Sequence, residues 1–259
     1  MKRTLKIVIT TLVLGLGINA LAAPDEEVRR YRAHSESQVI FVIHESKDPI
    51  FPMTLRRKGY DEGTAIFAIY VNQFGELADY LLLEASHLDF AEAVERVLPD
   101  WEYSVPLLGG ETAAIVSTVK VKFKRGSGVV YETSGYENIQ TQLGTFTDYE
   151  DAYRTYTPKE LDSILIPTHI EKPAFHVELL EDRNLVNAVF EFYIDTDGNV
   201  RIPTLREADD EVDERLLIIA QEALLQWKFE PPRRNGVPVV ARTALPFRFK
   251  KKGYVGSLE

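Results

Sequence analysis

Apolar and polar positions alternate in the same way in two stretches of the chain. Ala65, Phe67, Ile69 and Val71 fall on one side of an extended run, and Ala188, Phe190, Phe192 and Ile194 repeat the pattern 123 residues later. A period of two puts each set on one face of a β-strand. A glycine turn at Gly75 and at Gly198 leads into a second strand, over 77–85 and 200–205, so each copy begins with an antiparallel hairpin. The period then changes. Phe90, Val94, Val97 and Trp101 recur at helical spacing, as do Leu216, Ile219, Ala223 and Trp227, and each set marks one apolar stripe of a helix. The last element is a strand again, over 112–124 and 237–250. Val119, Val121 and Phe123 alternate with lysines there, and Leu245, Phe247 and Phe249 alternate with Pro246, Arg248 and Lys250. That pattern predicts one dry and one wet face.

The match extends beyond periodicity. Trp101-Glu102-Tyr103-Ser104-Val105-Pro106 aligns with Trp227-Lys228-Phe229-Glu230-Pro231-Pro232 at an offset of 126, and Gly110 aligns with Gly236 at the same offset. Three extra residues within the second copy account for the change of offset. Short helical stretches are expected over 52–58 and 175–182, and weaker elements over 37–44, 148–153 and 163–166. The organisation is a signal peptide over 1–22, a first copy over 37–125, a linker over 126–161, a second copy over 162–250 and a tail over 251–259. The linker begins Gly-Ser-Gly and is rich in Thr, Tyr and Gly. The fold class is α+β: two tandem small domains, each an antiparallel three-stranded sheet with one or two helices packed on one face. Copies of this size lie near the lower limit for independent stability, which predicts side-by-side packing.

The first residues form a separate unit. Lys2, Arg3 and Lys6 precede an apolar run, then small residues at Ala20, Ala22 and Ala23, then Asp25-Glu26-Glu27. This is the layout of a cleavable secretory signal and predicts export. The rival reading, an uncleaved membrane anchor, needs about 20 apolar residues. Cleavage leaves 27 basic and 40 acidic residues, a formal net charge of −13. An acidic surface argues against nucleic acid and anionic lipid as partners and leaves basic segments open. The chain has no cysteine, which excludes disulfides, thiolate metal sites and a cysteine nucleophile.

No catalytic constellation stands out. The chain has no H-E-x-x-H, G-x-S-x-G or P-loop pattern. His34, His44, His87, His169 and His176 are scattered, so neither a metal nor a cofactor is expected. Asp195-Thr196-Asp197-Gly198-Asn199 has the start of a calcium loop, but the position of the closing acid holds Arg206, so the hairpin turn is the stronger reading. Trp101 and Trp227 continue their helical stripes and read as core anchors.

The second copy resembles the TonB C-terminal domain family. The residues that carry this are Trp227, Phe229 and Pro231 as W-x-F-x-P, then Gly236 and Pro238, then the closing strand Pro246-Phe247-Arg248-Phe249. The first copy keeps Gly75, Trp101 and the aromatic at Tyr103. The resemblance implies a β-hairpin, a helix and a final strand. It also implies a role in binding envelope proteins, among them a segment of an outer-membrane receptor that adds as a strand. The edge expected to take it is Val240, Arg242, Ala244, Pro246 and Arg248, because Pro246 cannot donate into a ladder on both sides. Energy-transducing members keep an inner-membrane anchor and a Pro-rich spacer, and this chain has no such spacer. The expectation is therefore a periplasmic, non-enzymatic protein-binding module accessory to outer-membrane transport. The alternative is a membrane-anchored transducer.

Overall fold

A computed structural model of the chain describes residues 39–108, 110–126, 128–135, 152–251 and 253–256. Ala20, Ala22 and Ala23, like His34, lie outside the described residues.

The fold is α+β, built from two similar units. In the first, β1 (Glu62–Val71) pairs with β2 (Leu77–Ala85) and with β3 (Ile115–Lys124), all antiparallel. In the second, β6 (Leu185–Ile194) pairs in the same way with β7 (Val200–Ala208) and β8 (Ala241–Lys250). One face of each trio carries the core expected from period two. Ala65, Phe67, Ile69 and Val71 pack with Val119, Val121 and Phe123 under α2 (Leu88–Glu95), and α1 (Met53–Arg57) adds Leu55. Ala188, Phe190, Phe192 and Ile194 pack with Leu245, Phe247 and Phe249 under α3 (Glu214–Leu225). Asp213 caps α3, its carboxylate accepting from Arg215 N at 2.9 Å. The cap matters because a helix leaves its first N–H groups without partners. The stretch near 175–182 forms only a 3₁₀ turn, Val177–Leu180.

Both sheets extend past three strands. The first has the order β5-β2-β1-β3-β4, where β4 is Gly128–Gly135 and β5 is Tyr153–Arg154. The second has the order β7-β6-β8-β9, where β9 is Gly253–Gly256. Residues 126–161, expected as a linker, thus contain two strands, one along the outer side of β3 and one on β2. Tyr153 is extended rather than helical, and the rest of 148–153 apart from Ala152 is outside the described residues. The strand expected at 163–166 forms instead at Pro167–His169, and that expected over 37–44 is broken into Val39–Ile40 and Ile43–Glu45.

The sheets stack back to back. Ile66, Ala68, Leu81 and Leu83 of the first unit form one buried cluster with Tyr193, Ile202 and Val240 of the second. Burying an aliphatic side chain of that size contributes on the order of 2 kcal/mol. The outer face is therefore dry where the units meet and wet toward Lys122 and Lys124 of the first sheet and Arg248 and Lys250 of the second, a correction to the single wet face expected. Ile202 reaches this layer through a bulge. Val200 faces α3, so strict alternation would aim Ile202 there too. Instead Ile202 takes φ +46, at an irregularity in the β6–β7 register, and points to the other unit. A positive φ is strained for a β-branched residue, and a bulge re-aims the side chains after it.

Candidate interaction surface: the strand edges and the clasp between units

The repeated motif residues occupy matching places. Trp227 Nε1 donates to Glu171 O at 2.7 Å, and Trp101 Nε1 donates to Lys47 O at 3.1 Å. Both indoles are buried. They lie past the ends of α3 and α2, not on the helices as the stripe implied. An indole with one donor needs one acceptor when buried, and the carbonyl supplies it. Phe229 is in the core, while Pro231 and Pro238 are exposed. Gly236 (φ +76) turns the chain between Arg233–Arg234 and Val237–Pro238. Gly75 and Gly198 are the hairpin tips, at φ +81 and +84. Asp195 Oδ1 accepts from the N–H groups of Asp197 and Asn199 at 3.0 and 2.8 Å, which makes the 195–199 segment a tight turn. Asn72 does the same for Phe74 and Glu76.

The five residues expected to form an open edge meet four different fates. Val240 is buried between the units. Arg242 is held by Glu191, Nε to Oε1 at 2.9 Å and a terminal nitrogen to Oε2 at 3.0 Å, with the Glu191 carboxylate almost fully buried. Both therefore leave the predicted docking surface. Arg248 pairs with Val255 of β9, so it is an interior ladder position. Ala244 and Pro246 remain half-buried on the stretch that no described strand covers. Arg242 N–H points away from β6, to Tyr156 O at 2.8 Å. Strand alternation aims the amide positions of 244 and 246 the same way, so the nitrogen of Pro246 faces outward, where a missing N–H costs the β6–β8 ladder nothing.

Residues 153–162 bind the units together. β5 pairs with β2, placing Arg154 opposite Glu84, and Thr155 N donates to Leu83 O at 2.9 Å. One residue later Tyr156 bridges to Ala241 of the second sheet, its N–H donating to Val240 O at 3.0 Å. The Tyr156 ring lies between two guanidinium groups, Arg154 at 4.4 Å and Arg234 at 4.8 Å from its centroid. Glu160 bridges the same arginines, at 2.7 Å from Arg154 and 3.6 Å from Arg234. The bond from Arg154 holds the Glu160 carboxyl down at about 2, and N–H and O–H donation from Thr157 adds to this. Asp162 accepts from the Asn235 and Gly236 N–H groups, both at 2.8 Å. Sequence reading missed this clasp. Its signal was the capping pattern Thr157-Pro158-Lys159-Glu160 next to Tyr153-Arg154 and Tyr156. Across the remaining boundary Arg201 binds Asp79 of the first unit in bidentate fashion, with Nε to Oδ2 at 3.0 Å, and approaches Asp195 at 3.6 Å.

The histidines stay apart. His87 caps α2, its Nδ1 accepting from Asp89 N at 3.1 Å, and His169 lies 3.8 Å from Glu171. Among the described residues no three His, Asp or Glu side chains converge as metal ligands, and no helix is long and apolar enough to cross a membrane.

Fold and surface together define a duplicated sheet-and-helix protein whose sheets are stacked and joined by one short extended segment. Comparison with family models, with curated proteins and with solved structures finds no match to the chain.

Proposed function

We propose that the protein is a non-enzymatic binding module of the TonB type, exported to the periplasm and accessory to transport across the outer membrane, which takes an extended segment of a partner by strand addition. The observation that carries this reading is that extended chain from outside the three-strand units already pairs on their edges: β5 on β2, and both Tyr156 and β9 on β8. Edges filled in this way accept peptide main chain in that conformation. A partner segment gains the same ladder bonds, and side-chain pockets supply selectivity. The site favoured is β8 from Thr243 to Lys250, where a partner pairs beyond Tyr156 and takes the place of the four-residue β9. The compartment and the partner class, an outer-membrane receptor segment, rest on the signal-like start and on the family resemblance of 173–250.

A photoreactive residue at Ala244 tests this in intact cells. The expected result is an adduct with an envelope protein from Ala244, and none from Leu225, which is exposed on α3. Absence of any adduct from Ala244 removes the reading. The mass of the mature chain separates the periplasmic form from the anchored one, since cleavage near Ala22 or Ala23 leaves no anchor.

A further inference from the structure

Asn235-Gly236 is the only Asn-Gly pair in the chain. It forms the whole loop of a two-residue hairpin, since Arg234 pairs with Val237 and Arg233 with Pro238. Both residues have positive φ, +51 and +76, as a type I′ turn requires. Both are exposed, and the space beside Gly236 where a side chain would sit is open. The side chains of Asn72, Asn187 and Asn199 each donate to a nearby carboxylate. Among the described residues none bonds the Asn235 carboxamide, whose residue is held by its main chain alone.

That hold comes from the end of the clasp. Asp162 Oδ1 accepts the Asn235 N–H and Oδ2 the Gly236 N–H, both at 2.8 Å, and Asp162 N donates to Arg233 O at 2.9 Å. Arg233 closes the loop from its own side, donating to Gly236 O at 2.8 Å. Donation from the Gly236 N–H, then from the Asn235 N–H, keeps the Asp162 carboxyl below the ordinary carboxylate range. It is therefore an anion at neutral pH and too weak a base to remove an amide proton.

We propose that Asn235 is a modification site, where Asp162 holds off a spontaneous deamidation that, once complete, releases this end of the clasp. The Gly236 main-chain nitrogen gives up its proton and attacks Cγ of Asn235. The new N–C bond closes a succinimide ring as the carboxamide C–N bond breaks, and the nitrogen leaves with the proton as ammonia. Water then opens the ring at either carbonyl, giving aspartate or isoaspartate. Gly236 has no Cβ to shield its nitrogen, and the carboxamide is unbonded. Asp162 opposes the first step in two ways. It ties the Gly236 N–H into the turn, and its charge disfavours negative charge growing on that nitrogen. The products oppose the clasp in return. Each puts a second carboxylate beside Asp162, and isoaspartate also adds a carbon to the main chain of a two-residue loop. The site is separate from β8, so it stands or falls independently of the strand addition proposed above.

The test incubates the full chain in mildly alkaline buffer, folded and in urea, and follows conversion at 235 by peptide mass and isoaspartate content. In urea Asn235 should convert ahead of Asn184, which is also exposed but precedes a leucine. The folded parent should be slower than the unfolded chain by about tenfold or more, and folded Asp162→Ala should regain on the order of tenfold, as loss of charge-assisted hydrogen bonds predicts. Asp162→Asn keeps an acceptor without the charge and should fall between them, with tryptophan fluorescence showing that both variants are folded. In converted parent, protection of the Asp162 amide should fall while that of Gly198 stays. The proposal fails if Asn235 does not convert in urea, if the folded parent converts as fast as the unfolded chain, if both folded variants convert as slowly as the parent, or if conversion leaves Asp162 protection unchanged.

Discussion

Trp227 hangs its indole N–H on the main-chain oxygen of Glu171 at 2.7 Å, tying the entry strand of the second unit to the end of its helix. Replacing Trp227 by Phe removes the donor, strands a carbonyl and shrinks a side chain that is 3% exposed. The expected cost is about 2–3 kcal/mol. Urea unfolding checks it, through a lower midpoint at unchanged slope. Trp101→Phe should behave alike, because the bond to Lys47 is its copy.

Two glycines with the same backbone sign should respond differently to alanine. At Gly198 a methyl meets Phe229 O as well as a φ of +84, while at Gly236 nothing lies within 4 Å. Gly236→Ala carries only the left-handed strain, about 1 kcal/mol, and Gly198→Ala adds a clash with rigid backbone, for a total above about 3 kcal/mol. Thermal unfolding of the two variants should rank them in that order.

Acid should loosen the clasp in a defined window. The Glu160 carboxyl sits near 2 in the folded chain against an ordinary value of 4.5. A lowered carboxylate contributes its stability above the unfolded value and loses it as pH falls from there through the folded value. Protection of the Tyr156 and Arg242 amides, taken relative to intrinsic exchange at each pH, should therefore fall between about pH 4.5 and 2. In Glu160→Gln that fall should be absent and protection already lower at pH 7. Tyr156→Phe keeps the ring between Arg154 and Arg234 and should match the parent. Tyr156→Ala should cost about 1–2 kcal/mol, given two cation–π contacts.

The bond between Arg201 and Asp79 spans the two units, with both side chains about one-third exposed. A double-mutant cycle with Arg201→Ala and Asp79→Ala should give a coupling of about 1 kcal/mol in unfolding free energy. A coupling near zero means that the apolar layer of Ile66, Leu81, Leu83 and Ile202 holds the units together without it.

Much of each unit was legible from the chain because its causes are local. Period two over Ala65–Val71 and Ala188–Ile194 set the core face, and the Asp195 turn followed from side-chain bonds to its own backbone. The back-to-back stacking had a signal too. Ala65 through Val71 is apolar at every position, the pattern of a strand buried on both faces, but alternation with the lysines of β3 concealed it.

By itself, then, the sequence determined the duplication, the hairpin–helix–strand order of each copy and the tryptophans as buried anchors, since these depend on periodicity and near neighbours. Only the tertiary structure decided which edges are filled, that Val240 belongs to the contact between units and Arg242 to an ion pair with Glu191, and that Tyr156 crosses from one sheet to the other. Those outcomes depend on which of several exposed main-chain edges meets which distant segment. The free energy of such a pairing is set by the geometry of the packed units and is not encoded in the composition of either segment alone.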